Sequence, residues 1–195
     1  MKIKRILLLL LVTSNYALAT TVFPVSLENM SKRADIIFYG KTISNEAKMD
    51  EASNRVVTFT TFEIIENIKG TTDATHTIKQ VGGQLPGSKF VYRIHGVPRF
   101  TLGEEYIVFL PAKSTLGFSS PIGLGQGKYS VYKKNGIKMV NKDPAVKNMV
   151  IQDKSKTGFT NQDEQTLNIL NPVESEANRT SLTEFIKTVS SLAGK

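Results

Sequence analysis

The sequence predicts a mostly β domain, a small five- to six-stranded barrel with one helix before it and one after it. Three observations predict this. Short runs of β-branched and aromatic residues recur along the middle of the chain, each closed by Gly, Pro or Asn. One run, 55–68, changes the parity of its apolar residues part-way along, which a flat strand with one buried face does not do. Two other segments, beginning at Ser26 and Ser181, carry apolar residues at helical spacing instead.

Residues 1–19 have the three parts of a cleaved secretory signal peptide. Lys2, Lys4 and Arg5 form a positive start, residues 6–12 are an unbroken apolar run, and Ala17-Leu18-Ala19 is a small-x-small cleavage pattern. A run of seven apolar residues is too short to span a bilayer as a helix, so no membrane span is expected after cleavage. Cleavage after Ala19 removes 19 of the 195 residues and leaves 176, beginning at Thr20, which is one ordinary domain. The expected location is the periplasm or the medium. A chain of that size buries roughly 70% of its unfolded surface and needs no disulfides, in keeping with the absence of Cys. Loss of the three basic residues brings the formal charge from +8 to +5. That mild excess serves solubility and also favours an acidic partner. No run of five like charges occurs, so a nucleic-acid tail is not expected.

The barrel domain is expected over 20–141. Ser26 can cap a helix to about Ala34, with Leu27, Met30 and Ala34 on one stripe. A strand follows over 36–43, then a polar loop over 44–54. The next strand runs over 55–68. Val57 and Phe59 share one parity; Phe62, Ile64 and Ile68 share the other. At about 3.3 Å per residue it would exceed 40 Å if flat, so a bulge near Thr60-Thr61 is expected to bend it and keep both sets inside. Further strands are expected over 75–81, 104–110, 117–122, 128–133 and 137–141, with Asn135-Gly136 as a hairpin turn. Residues 142–180 are polar and read as a linker with little regular structure. Residues 181–195 form the last helix. Ser181 and Glu184 have capping-box spacing, and Leu182, Phe185, Ile186, Val189 and Leu192 form an apolar face that either packs on the barrel or docks a partner.

Three ordered motifs carry a resemblance. They are Ala34-Asp35-Ile36-Ile37-Phe38-Tyr39-Gly40, then Phe62-Glu63-Ile64-Ile65-Glu66-Asn67-Ile68-Lys69-Gly70, then Gly103-Glu104-Glu105-Tyr106 running into an apolar strand. Over about 27–141 the chain resembles netrin-module and tissue-inhibitor-of-metalloproteinase (TIMP-like) domains, which are OB-fold barrels. It also resembles small exported bacterial proteins sharing Gly96-x-Pro98-x-Phe100 and Gly125-Gln126-Gly127-Lys128-Tyr129. The resemblance implies an OB-like barrel and a protein partner, with an exported metalloprotease as the class to try first. Animal inhibitors of this type chelate zinc through an N-terminal Cys. Here there is no Cys and the expected start is Thr20, so the chelating step does not carry over with the fold.

Chemistry is sparse. His76 and His95 are the only histidines; they are far apart, without metal-ligand spacing, and read as surface or loop residues. No metal and no cofactor is expected. Residues 123–128 imitate a phosphate loop, but Ile122 stands where its first Gly belongs and Tyr129 where its hydroxyl residue belongs; a glycine-bent strand is the plainer reading. There is no nucleophile elbow, Glu104-Glu105 alternate across a strand, and Thr20 lacks a supporting constellation, so no catalytic residue is assigned. The most suggestive surface is the connection 89–100, which mixes basic and aromatic groups. Candidate binding residues are Thr20, Thr21, Val22, Lys89, Tyr92, Arg93, Arg99, Phe100 and Lys128. The leading expectation is a non-enzymatic exported domain that binds another protein. The second is an OB-fold binder of envelope glycans or polyanions through Lys89, Arg93, Arg99 and Lys128. The third is an enzyme of unknown class, which would need a deep pocket with converging ionisable groups. In the barrel itself, the aromatics of 89–100 could equally plug one end.

Overall fold

The structure is a computed structural model that describes residues 24–70, 73–142 and 180–194. The expected signal peptide, its cleavage point, Thr20, Thr21 and Val22, and nearly all of the expected linker lie outside the described residues.

Ser26 caps helix α1, Leu27–Arg33, by accepting the Asn29 N–H at 3.2 Å. Leu27 and Met30 are buried one turn apart. The chain turns extended at Ala34 and enters β1, Ile36–Asp50. Five more strands follow: β2, Arg55–Lys69; β3, Thr75–Val81; β4, Glu105–Leu110; β5, Lys128–Lys134; and β6, Ile137–Lys142. The last element is helix α2, Leu182–Leu192. All six strands form one antiparallel sheet in the order β3-β2-β1-β4-β5-β6. β3 and β6 are its ends, and among the described residues no pairing between them closes it.

Several sequence expectations need correction. Residues 44–50, expected as loop, are the second half of β1 and pair in step with β2 from Ser44↔Thr61 to Asp50↔Arg55. Their polarity reflects a hairpin arm that stands partly in solvent, and the cross-strand ladder supplies the order that their side chains do not signal. The bulge expected near Thr60-Thr61 is met only in part: the β1–β2 ladder is irregular opposite Thr61 and Phe62, but the extra residue there is Ile43 of β1 and not one of β2. β2 pairs with β3 without a shift from Val57 to Glu63. The irregularities fall between Ile37/Phe38, Tyr39/Gly40 and Thr42/Ser44 of the β1–β2 ladder, leaving Ile68, Ile65 and Ile43 as the extra residues. Both apolar sets of β2 therefore do not share one inside. Phe62 is buried, whereas Phe59 is half-buried on the other face beneath the Lys48 ammonium, 4.4 Å from its ring centre. Residues 117–121 have no regular structure and residue 122 opens a turn, so the expected strand is absent; the segment is tied to β3 by the Ser119 N–H on the Lys79 carbonyl at 3.0 Å. The Asn135-Gly136 turn is as expected, with φ of 50° and 80° in the left-handed region that a two-residue hairpin needs.

Alternation along β1 and β4 produces two cores, one on each face of the sheet. Ile37, Tyr39, Ile107 and Phe109 face α1 and α2, where Leu27, Met30, Tyr129 and Phe185 complete the cluster. Phe38, Tyr106, Val108 and Leu110 face the other way and pack with Phe62, Ile78 and Phe100. Helix α2 is capped by Ser181, whose hydroxyl accepts the Glu184 N–H at 3.3 Å. Its Leu182, Phe185, Ile186 and Val189 are buried, each contributing about 2 kcal/mol. Its apolar face is thus the underside of the domain and not a free docking face. Among the described residues no helix is long and apolar enough to cross a membrane.

A polar clamp crosses the sheet. The Tyr39 hydroxyl donates to Glu105, and the Lys138 ammonium donates to Glu105 Oε2 at 2.8 Å and to the Tyr39 oxygen at 2.6 Å. Burial pushes the Glu105 carboxyl up, but the hydrogen bonds from Lys138 and Tyr39 outweigh it and hold the carboxyl below its ordinary range. Those bonds also raise Lys138, with the Glu105 contact foremost. The Glu105 contribution to stability is present above the unfolded carboxylate range and lost as pH falls through the lower folded value. The Lys138 contribution is present below the unfolded lysine range and lost as pH rises through the higher folded value. Glu105→Gln should therefore cost about 1 kcal/mol at pH 7, after allowance for partial exposure, and the gap to wild type should close as pH falls from the unfolded carboxylate range through the lowered folded value. Urea unfolding of both proteins across that range reads it; a gap that persists at low pH would contradict it.

Candidate functional site

A cleft of about 1080 Å³ opens beside the second core. The second half of β1, from Asn45 to Lys48, forms one side. The end of β3 with the two glycines that follow it, Gln80 to Gly83, and residues 91–100 form the other sides, with Leu124 and Gly125 at the end.

Local structure explains why the chain passes here. Gly83 and Tyr92 form an isolated antiparallel bridge, each N–H on the other's carbonyl at 2.8–2.9 Å. Gly83, with φ of 137°, lies so close to β2 that a Cβ would overlap the Thr58 hydroxyl and meet the Ala47 Cβ at 3.0 Å. That hydroxyl donates to the Gly82 carbonyl at 2.7 Å. Deeper in, Thr60 donates to Asn45 Oδ1 at 2.7 Å, and Asn45 Nδ2 donates to the Phe100 carbonyl at 2.9 Å. The chain 83–100 is thus stitched to the β1–β2 arm at both ends.

The structure separates the sequence candidates. Tyr92, Arg93, Arg99 and Phe100 all line the cleft. Phe100 is buried and serves as the plug: its ring meets Phe62 edge-on at 4.9 Å and Tyr106 at 5.1 Å. Tyr92 is 52% exposed. Lys89 is exposed but lies outside the cleft lining. Lys128, taken from the sequence as a surface cation, is only 7% exposed. Its ammonium donates to the Arg99 carbonyl at 2.6 Å and lies 4.9 Å from the Tyr106 ring centre, so it braces the loop from beneath.

Sequence reasoning missed the apolar lip. Val91, Ile94 and Leu124 line the cleft and are exposed, and Phe90 beside them is 75% exposed. Leu124 holds φ of 56°, uncommon for a residue with a branched side chain, in a turn over 122–127. That turn replaces the expected glycine-bent strand. Gly127 presses on Phe109, and the buried Gln126 side chain accepts the Val25 N–H at 2.8 Å. The glycines of 123–128 thus permit close packing, and the one signal for Leu124 was its place between two of them.

The two histidines differ. His76 is on β3, partly buried, 5.6 Å from the Phe38 ring; burial lowers its pKa and the Lys113 charge adds to that. The surface or loop placement expected for it is therefore corrected. His95 is exposed in the cleft lining. Among the described residues no group of three or more His, Cys, Asp or Glu could hold a metal ion. No protein-family model matches the chain, and no curated protein matches it either.

Proposed function

We propose that this chain is an exported protein-binding domain on an OB-like scaffold, and that the cleft beside the 84–100 connection takes the partner. The observation that carries the reading is the lip of exposed Phe90, Val91, Tyr92 and Ile94, on a loop fixed at Gly83 and at Phe100, with Leu124 of the 122–127 turn beside them. Exposed aromatic and aliphatic groups on a rigid support supply contact area at low entropic cost. The Val25 N–H on Gln126 supports the TIMP-like form of the reading, because it ties the start of the described chain to the turn that ends the cleft. The hydrogen bond that brings Ser119, in the segment after β4, to β3 at the far end of the sheet supports the OB-like scaffold. An exported metalloprotease is the partner to test first.

The experiment is co-incubation of the protein with a panel of exported metalloproteases, reading both binding and residual activity. A Tyr92→Ala, Ile94→Ala double variant should weaken binding at least about tenfold, as expected when anchor residues are truncated. Unchanged protease activity with no binding across the panel removes the inhibitor form. Binding indifferent to the double variant removes the cleft. The polyanion reading keeps Lys89, Arg93 and Arg99, all exposed, but Lys128 is engaged internally. Salt-sensitive retention on heparin without any protein partner would favour it.

A further inference from the structure

We propose that the edge of β1 from Asn45 to Met49 is a strand-addition site for an extended segment of a partner protein that alternates acidic and apolar residues. This rests on the protein-binding reading above and specifies its mode and the chemistry of the segment bound.

The ladder fixes which backbone groups are free. On β2 the Val56 carbonyl accepts from Gly82, and the Ile64 N–H donates to Ala74. Even-numbered groups of that stretch therefore point to β3, and odd-numbered groups point to β1. Their partners on β1 are Ser44, Glu46, Lys48 and Asp50. The peptide groups of Asn45, Ala47 and Met49 consequently point away from β2. Thr42, opposite Phe62, shows the same outward direction: its N–H donates to the Glu104 carbonyl at 2.9 Å and its carbonyl accepts the Gly103 N–H at 2.8 Å. β4 pairs with β1 only as far as Lys41. Beyond Thr42 the backbone N–H and C=O groups of Asn45, Ala47 and Met49 have no hydrogen-bond partner among the described residues. Three outward pairs at every second residue are the template to which an extended chain adds.

The surroundings select the occupant. Lys48, Arg93 and Arg99 line the cleft against one acid, Glu46, and none of the three bases is in an ion pair among the described residues. A strand laid on this edge presents alternate side chains to the apolar lip of Tyr92, Ile94 and Leu124, and acids between them meet the bases. A second copy of this chain would set like charges against each other, which disfavours self-pairing.

The test uses the full chain and a labelled, end-capped eight-residue peptide alternating valine and glutamate. Controls are its valine–lysine counterpart and two N-methylated forms, one methylated at every valine and one at every glutamate. Anisotropy should show saturable binding of the parent and none of the lysine form. One methylated form should bind at least about tenfold more weakly and the other nearly as well as the parent, because only one parity of amides faces the edge. Ala47→Pro, which removes an N–H that the β2 ladder does not use, should weaken the parent by a similar factor with an unchanged thermal midpoint. The methylated peptides test the edge even if that variant misfolds. No saturation up to about 1 mM, equal binding of both methylated forms, or dimers of the chain that Ala47→Pro abolishes would each overturn the proposal. If methylation has no effect while Tyr92→Ala still weakens a protein partner, strand addition fails and the protein-binding reading stands. If neither change matters, both fail.

Discussion

Phe62→Ala should destabilise the domain by about 3–5 kcal/mol, a large part of the roughly 5–15 kcal/mol a domain of this kind has. The side chain is fully buried. Its ring meets Phe38 at 5.2 Å and Phe100 at 4.9 Å, so it joins β1, β2 and the long connection in one cluster. Truncation leaves a void that these two rings cannot close without moving. Phe100 is the one of them carried by a loop, so the loss should reach the cleft, where its carbonyl is held by Asn45. Urea unfolding measures the first effect. Phe62→Leu, which keeps most of the volume, should cost only about 1 kcal/mol. A loss below about 1 kcal/mol for Phe62→Ala would show that this ring is not in a packed core.

Gly83→Val should cost about 2–4 kcal/mol and open the cleft wall at the same time. Two effects add at this position. A φ of 137° is closed to a residue with a Cβ, and the space a Cβ would fill already holds the Thr58 hydroxyl. Relief requires the 83–92 bridge to move off the β1–β2 arm, which breaks both Gly83–Tyr92 hydrogen bonds. Gly87→Val is the control, because a Cβ there meets nothing within 4 Å and the position keeps only the positive-φ penalty. Thermal unfolding together with hydrogen exchange at Tyr92 should show a large loss and fast exchange for the first variant, and a smaller loss with protected Tyr92 for the second. Equal effects at the two positions would contradict the close approach.

What could be read ahead of the structure was local. Ser26 and Ser181 announce their helices because a cap acts within three residues, and Asn135-Gly136 announces its hairpin because only the two central residues must take positive φ. The apolar run of β4 is dense enough to name as a strand, and the β-branched Thr75, Thr77, Ile78 and Val81 closed by Gly82 mark β3. What could not be read depends on partners far along the chain. Residues 44–50 look like a loop until β2 lies beside them. The bulges at Ile43, Ile65 and Ile68 are properties of a register between two strands, and neither sequence states that register alone. Lys128 reads as a surface cation because nothing near it in sequence discloses the Arg99 carbonyl and the Tyr106 ring that receive it. The cleft suffers the same limit: Tyr92 and Arg93 were visible as a basic-aromatic stretch, whereas Asn45, Ala47 and Leu124 join it only through the fold.

Site-specific photo-crosslinking in cells that make the protein tests the central claim most directly. A photoreactive residue at Tyr92, in the cleft, should capture a discrete protein partner, and Ala47→Pro should suppress that capture. The same residue at Tyr132, exposed on β5 and outside the cleft lining, should capture nothing comparable. Capture at Tyr132 with none at Tyr92 would contradict the account.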